Sequence, residues 1–312
     1  MGPVRTLLRT VGGVAALGAA GLGWAGLVER NWYTLRRFTV PVLPRGARPL
    51  RVLQVSDLHL MPAQQRKVEW VRGLAALAPD LVVNTGDNLA SVDSVPGALR
   101  AMEPLLEVPG VFVMGSNDYY APVPKNPARY LTRRHAQAPP GRTLLPVDDL
   151  RAGMVAGGWT DLDNVRTNLH VGGLDLELVG TDDAHIQLDR YSSVAAPAST
   201  SAALTIGVTH APYQRVLDPM AADGARLLIA GHTHGGQLAL PVYGALVTNC
   251  DLPTNRAKGL SRWWPGAGST PSSRAPHDAA WLHVSAGLGT SPYAPVRFAC
   301  RPEATLLTLL PR

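Results

Sequence analysis

The chain has 312 residues, 46% of them hydrophobic and 17% charged, enough for a sizeable core and too few charges for a disordered or coiled-coil protein. Its net charge of +6 gathers at the N-terminus, where Arg5, Arg9, Arg30, Arg36 and Arg37 stand against Glu29 alone; the remainder is nearly balanced, so no nucleic-acid surface is expected. Two cysteines, Cys250 and Cys300, exclude a disulfide scaffold and a Cys-rich zinc finger; they either pair or, as we prefer, stay as buried free thiols.

Val11 to Val28 is an uncharged run of 18 residues bounded by Arg9 and by Glu29 and Arg30. As a helix it would reach about 27 Å, close to the hydrocarbon thickness of a bilayer. It reads first as a single-pass membrane anchor with Trp24, Trp32 and Tyr33 at interfacial positions; a cleaved signal peptide and a buried helix of the domain are the alternatives. The flanking arginines are too evenly matched to give an orientation. Residues 1–40 are thus expected to be anchor and linker, the Pro/Gly/Arg linker character running from Pro41 to Pro49, and residues 51–312 the functional domain.

Beyond the linker a strand-then-helix rhythm begins. Arg51–Ser56 reads as a strand, the stretch through Ala78 as a helix, Asp80–Asn84 as a strand, Val95–Leu106 as a helix and Val111–Met114 as a third strand. Leu174–Val179, Ala203–Val208, Leu227–Ala230, Ala280–Val284 and Ala304–Leu309 are further strands. Short apolar strands alternating with amphipathic helices predict an α/β domain with internal strands. Ala138–Gly158 and Asn255–His277 break the rhythm. The second is expected to be a long surface loop, pinned to the body by Trp263 and Trp264.

The chemistry-bearing residues stand where these strands end. Asp57-Leu58-His59 closes the first strand, and residues two apart on extended chain point to one side, so one metal could take both side chains. Gly86-Asp87-Asn88 and Gly115-Ser116-Asn117-Asp118 follow the next two strands. His210 follows ALTIGVT, and Gly231-His232-Thr233-His234-Gly235-Gly236-Gln237 follows LLIA with two more imidazoles. Open α/β sheets build their sites at the carboxyl ends of strands. Mixed Asp, His and Asn ligation suits Mn, Fe or Zn, with Mn preferred. Each segment alone is weak; a glycine-flanked pair of imidazoles straight after a buried strand is costly unless something binds it.

The ordered set DxH, GDN, GSND, THAP and GHTHGGQ resembles the calcineurin-like metallophosphoesterases, and within them the membrane-associated bacterial branch with a GHTHGGQ box. The resemblance implies a four-layered α/β/β/α sandwich and a two-metal hydrolase of phosphoesters, first of all phosphodiesters. By it, Asp57, His59 and His234 would hold one metal, Asp87 would bridge both, and His210, His232 and an Asn would hold the second. The third motif departs from the family's Gly-Asn-His-Asp/Glu. Ungapped, Ser116 falls on the ligand position; shifted by one residue, Asn117 does. We prefer the shift, because an amide oxygen ligates better than a serine hydroxyl. The proton donor is then Asp118 or His185, the latter in the string Gly180–His185 after LELV. The rival readings are a metal-binding membrane protein impaired in catalysis by the altered motif, and a phosphomonoesterase or pyrophosphatase with the same site. The substrate is open, a lipid-linked phosphoester being suggested by the expected anchor alone, and so is the oligomeric state.

Overall fold

The computed structural model describes residues 12–13, 16–124, 141–269 and 274–312. Its strands, in chain order, are β1 (Thr34–Leu43), β2 (Leu50–Val55), β3 (Leu81–Asn84), β4 (Gly110–Phe112), β5 (Thr160–Asp161), β6 (Arg166–Val171), β7 (Leu174–Thr181), β8 (Leu204–Thr209), β9 (Leu227–Ala230), β10 (Ala239–Leu240), β11 (Gly244–Ala245), β12 (Gly259–Trp263), β13 (Ala280–Val284) and β14 (Glu303–Pro311). The helices that matter for the site are α1 (Gln65–Arg72), α2 (Val95–Leu106), α3 (Ser116–Tyr119), α4 (Val147–Ala156) and α5 (Gln214–Ala222).

Two mixed six-stranded sheets form an α/β sandwich. The first has the order β1-β14-β2-β3-β4-β5 and the second β12-β13-β9-β8-β7-β6, with β10 and β11 as a separate ribbon. The strand alternation explains the stacking. On β2, Leu50 and Val52 face the second sheet, joining Val83 and Val111 against Leu178, Ile206 and Ile229. Leu53 and Val55 point the other way, into a cluster with Val68 of α1, Met102 of α2 and Met154 of α4. On the far side of the second sheet, Val216, Leu217 and Met220 of α5 pack with Leu228, Leu282 and Trp263. Within each sheet β2-β3-β4 and β7-β8-β9-β13 run parallel, so their carboxyl ends lie at one end of the sandwich.

Three expectations need correction. Among the described residues no helix is long and apolar enough to cross a membrane, which overturns the single-pass anchor read over residues 11–28 and the membrane localisation drawn from it. Residues 1–11, 14 and 15 lie outside the described part. The rest is rich in Gly and Ala, is helical over 16–23, tightens into a π-turn at Trp24–Val28 and ends in a 3-10 turn at Glu29–Asn31. That end is docked on the domain: the buried Glu29 carboxylate accepts from Cys300 N–H at 2.7 Å and Trp24 Nε1–H at 3.1 Å, and Ala25 O accepts from Arg297 N–H.

The linker expected from Pro41 overlaps a strand. β1 pairs in parallel with β14 from Thr34 onward and forms the edge of the first sheet, where a proline is tolerated; the register shifts between Pro41 and Leu43. The two irregular stretches also carry structure. α4 lies within Ala138–Gly158, of which residues 138–140 are outside the described part, and β12 lies within Asn255–His277 and pairs antiparallel with β13. Trp263 is fully buried and donates its Nε1–H to Asp218, so it pins this segment as expected. Cys250 and Cys300 are free thiols.

Candidate metal centre

Every ligand expected from the sequence lies at the shared end of the sandwich. The first sheet contributes Asp57 and His59 after β2, Asp87 after β3 and Asn117 in α3 after β4. The second contributes His210 after β8 and His232 and His234 after β9. Five of these seven carry positive φ: Asp57 49°, His59 39°, Asp87 56°, His232 70° and His234 50°. Left-handed backbone costs a non-glycine residue roughly 1–2 kcal/mol, and it persists where surrounding bonds over-determine it. Here the turn after β2 is laced to the turn after β3 by Asp57 N–H to Gly86 O, His59 N–H to Asp87 O and Leu60 N–H to Asn88 O, each 2.9 Å. Glycine is required at Gly115, where a Cβ would fall 2.7 Å from the His210 ring and against Asp87 Oδ1.

Ligand atoms of Asp57, His59, Asp87 and His234 all lie within 4.8 Å of one another. His59 Nε2 faces His234 Nε2 at 3.0 Å and Asp87 Oδ2 at 3.4 Å, and His234 Nε2 is 3.6 Å from Asp57 Oδ1. His234 Nδ1 lies 3.2 Å from Gly289 O and 3.4 Å from an Arg297 nitrogen; donation to the nearer carbonyl gives the Nδ1–H tautomer and leaves the Nε2 lone pair aimed at His59. Two imidazole nitrogens at this distance need a proton or a cation between them, and two flanking carboxylates favour the cation. These four residues fit a divalent metal.

The second half of the site shares Asp87. His210 Nε2 is 3.5 Å from Asp87 Oδ2 and 3.3 Å from His232 Nδ1. Backbone carbonyls again set the tautomers: Thr85 O receives His210 Nδ1–H at 2.7 Å and Asn249 O receives His232 Nε2–H at 3.3 Å. Asn117 donates to Asp87 twice at 2.7 Å, from its backbone N–H and from Nδ2. Ser116 touches Asn117 Nδ2 at 3.4 Å.

Charge follows burial and neighbours. Burial alone would raise the Asp87 carboxyl, but His210, His59 and the Asn117 N–H hold it well below the usual carboxylate range. Asp57 is pushed up to about 7 by burial, His210 opposing and Asp87 adding. Burial would lower His210, yet Asp87, Asp183 and Asp57 raise it to about 9. Burial lowers His59 to about 4 and takes His232 and His234 well below the usual imidazole value, so these three offer lone pairs at neutral pH.

The two proton-donor candidates are placed very differently. Asp118 is fully buried: Oδ2 accepts from Asp87 N–H at 2.8 Å and Gly115 N–H at 3.0 Å, and Oδ1 from Asn88 N–H at 2.7 Å and Leu89 N–H at 3.3 Å. Burial and Asp87 raise its carboxyl to about 6. His185 is half-buried, its ring 4.6 Å from that of His232 and its Nδ1 3.0 Å from the Tyr213 hydroxyl.

Some supporting residues were not singled out in the sequence. Arg297 is fully buried and donates to the carbonyls of Ala286, Gly287 and Gly289, the last being the carbonyl that orients His234. A lone arginine in a Pro-rich tail carries no motif that would reveal this. Asp183 is buried beside His210 with Oδ2 unpartnered. It belongs to the same string as His185 and could have been read with it.

The family model for calcineurin-like phosphoesterases matches residues 50–236. The chain is similar to YpbG of Bacillus subtilis strain 168, 26% identical over 96% of each chain. It is similar to the metallophosphoesterase YkuE of the same organism, 26% identical over 98% of this chain and 96% of that one. It is also similar to the phosphodiesterase YaeI of Escherichia coli strain K12, 24% identical over 94% of each.

Proposed function

The chain belongs to the calcineurin-like phosphoesterase family and is a metal-dependent phosphoester hydrolase, and on that premise we propose that it cleaves phosphodiesters at a two-cation centre. Asp57, His59 and His234 would hold the first cation, His210, His232 and Asn117 the second, and Asp87 would be shared by both. The observation that carries this reading is the facing of His59 Nε2 and His234 Nε2 at 3.0 Å between Asp57 and Asp87. Mn is the preferred metal, with Fe or Zn compatible with the same imidazole-rich set. The three apolar clusters support the four-layered α/β/β/α arrangement, with helices outside each sheet.

When bound there, two divalent cations would supply a water of lowered pKa and positive charge for the phosphoryl oxygens. The protein does the rest. Carbonyls of Gly289, Thr85 and Asn249 hold three imidazoles in the ligating tautomer. Within its motif Asn117 hydrogen-bonds the Asp87 carboxylate, whereas Asp118 takes only the Asp87 backbone N–H, which supports the shifted register of GSND. Asp118 anchors the turn of Asp87 through four backbone amides. His185, half-buried beside His232, is the group able to hand a proton to the leaving oxygen. Leu238, Leu240, Val242 and Tyr243 are exposed directly after the His234–Gln237 turn, which supports a substrate with an apolar group beside its phosphodiester.

The test is turnover of a nitrophenyl phosphodiester and the matching monoester by metal-free protein reloaded with Mn, Fe or Zn. Preference for the diester supports the reading; monoester preference gives the site to a phosphomonoesterase.

A further inference from the structure

Behind the centre, a chain of buried hydrogen bonds runs from one sheet to the other. His283 Nδ1 on β13 meets Gln54 Oε1 on β2 at 2.6 Å. Gln54 Nε2 donates to Ala230 O at 2.8 Å and to Thr85 Oγ1 at 3.1 Å. The Thr85 hydroxyl donates to Ser56 Oγ at 2.6 Å, and the Ser56 hydroxyl donates to Asp57 Oδ2. All five side chains are fully buried.

Donor and acceptor chemistry allows this chain one direction. The Ala230 carbonyl can only accept, so the donor end of the Gln54 amide, Nε2, lies on that side and Oε1 receives the Nδ1–H of His283. An amide nitrogen cannot accept, so Thr85 receives from Gln54 and gives its single proton to Ser56. Ser56, already an acceptor, gives its proton to the carboxylate. Asp57 is thereby divided: Oδ2 takes the Ser56 hydroxyl, Oδ1 faces His234 Nε2 at 3.6 Å, and the His232 N–H lies 3.1 and 3.2 Å from the two.

We infer that Gln54, Thr85 and Ser56 form a polarised positioning relay, which commits Asp57 Oδ2 to the protein and reserves Oδ1 for the cation. The inference rests on the reading of Asp57 as a metal ligand. The relay spans the sandwich, with Gln54 on the first sheet and Ala230 and His283 on the second, so the bonds that join the sheets also set the ligand. None of its three members touches the reacting atoms; each acts through Asp57.

The experiment is calorimetric titration of Mn²⁺ into chelator-stripped full-length protein, with the melting temperature of the stripped protein recorded alongside. Ser56→Ala is expected to weaken cation binding roughly 10–100-fold, the range for lost support of a ligand. Thr85→Val keeps the branched shape, removes the donor and should weaken binding by a smaller factor. The double variant should be no weaker than Ser56→Ala, because Thr85 acts only through Ser56. Saturating Mn²⁺ should restore phosphodiester turnover in Thr85→Val, a rescue that a variant damaged in its fold would not show. Wild-type affinity in either single variant, or losses that multiply in the double variant, would overturn the relay. Should Ser56→Ala fail to fold, Thr85→Val decides alone by the same two outcomes. Wild-type protein that binds no divalent cation would overturn the metal-centre reading and the relay with it, a result distinct from variants that bind as tightly as wild type.

Discussion

Asp118→Asn replaces one carboxylate oxygen with an NH₂ group at a point where four backbone amides converge. Oδ2 receives Asp87 and Gly115 N–H, and Oδ1 receives Asn88 and Leu89 N–H. Whichever oxygen is lost, two buried N–H groups then face another donor. An unsatisfied buried donor costs about 1–3 kcal/mol, so the pair costs about 2–6 kcal/mol, a large share of the roughly 5–15 kcal/mol that holds a domain folded. Thermal unfolding of the chelator-stripped variant, followed by scanning fluorimetry, should shift down by several degrees. The turn that carries Asp87 should loosen, so kcat should fall equally for good and poor leaving groups. An unchanged melting temperature, with a loss confined to poor leaving groups, would refute this reasoning and make Asp118 the proton donor.

Asp87→Ala should abolish turnover and lower the metal content, read by plasma mass spectrometry, from two per chain toward one or none. His185→Ala should keep both metals and slow diesters with poor leaving groups by about 10²–10⁴-fold, with little effect on nitrophenyl esters; equal loss on both would give His185 a packing role. Gly115→Ala, whose Cβ would press on Asp87 and the His210 ring, should lose metal affinity and stability together in a chelator titration. Cation binding should strengthen from pH 6 to pH 9. Asp57 at about 7 and His210 at about 9 both hold protons that ligation must displace, so proton release measured in buffers of different ionisation enthalpy should accompany binding, and pH-independent affinity would contradict it.

The convergence of Asp57, His59, Asp87, His210, His232 and His234 at one end of the sandwich was legible because each follows a short apolar run, and parallel strands gather their carboxyl ends. β1 was hidden by Pro41, which reads as a linker residue and is tolerated on an edge strand. β12 (GLSRW) lacks an apolar run because it too lies at an edge. The 11–28 run looked like a span because Gly and Ala lengthen an uncharged stretch without making it strongly apolar, and the bonds of Glu29 to Cys300 and of Arg30 to Pro295 join residues some 270 positions apart. Its place in the motif makes Asp118 a proton-donor candidate beside His185; its amide partners, mostly about 30 residues away, come into view only in the fold. The relay through Gln54, Thr85 and Ser56 reads in sequence as polar residues at strand ends; its direction exists only once the two sheets meet.

The account is tested most directly by anomalous diffraction from crystals soaked in Mn²⁺. It predicts two peaks about 3.5–4 Å apart, one ligated by Asp57, His59 and His234, the other by His210, His232 and Asn117, with Asp87 touching both. A single peak, or two peaks of which Asp87 touches only one, would contradict it.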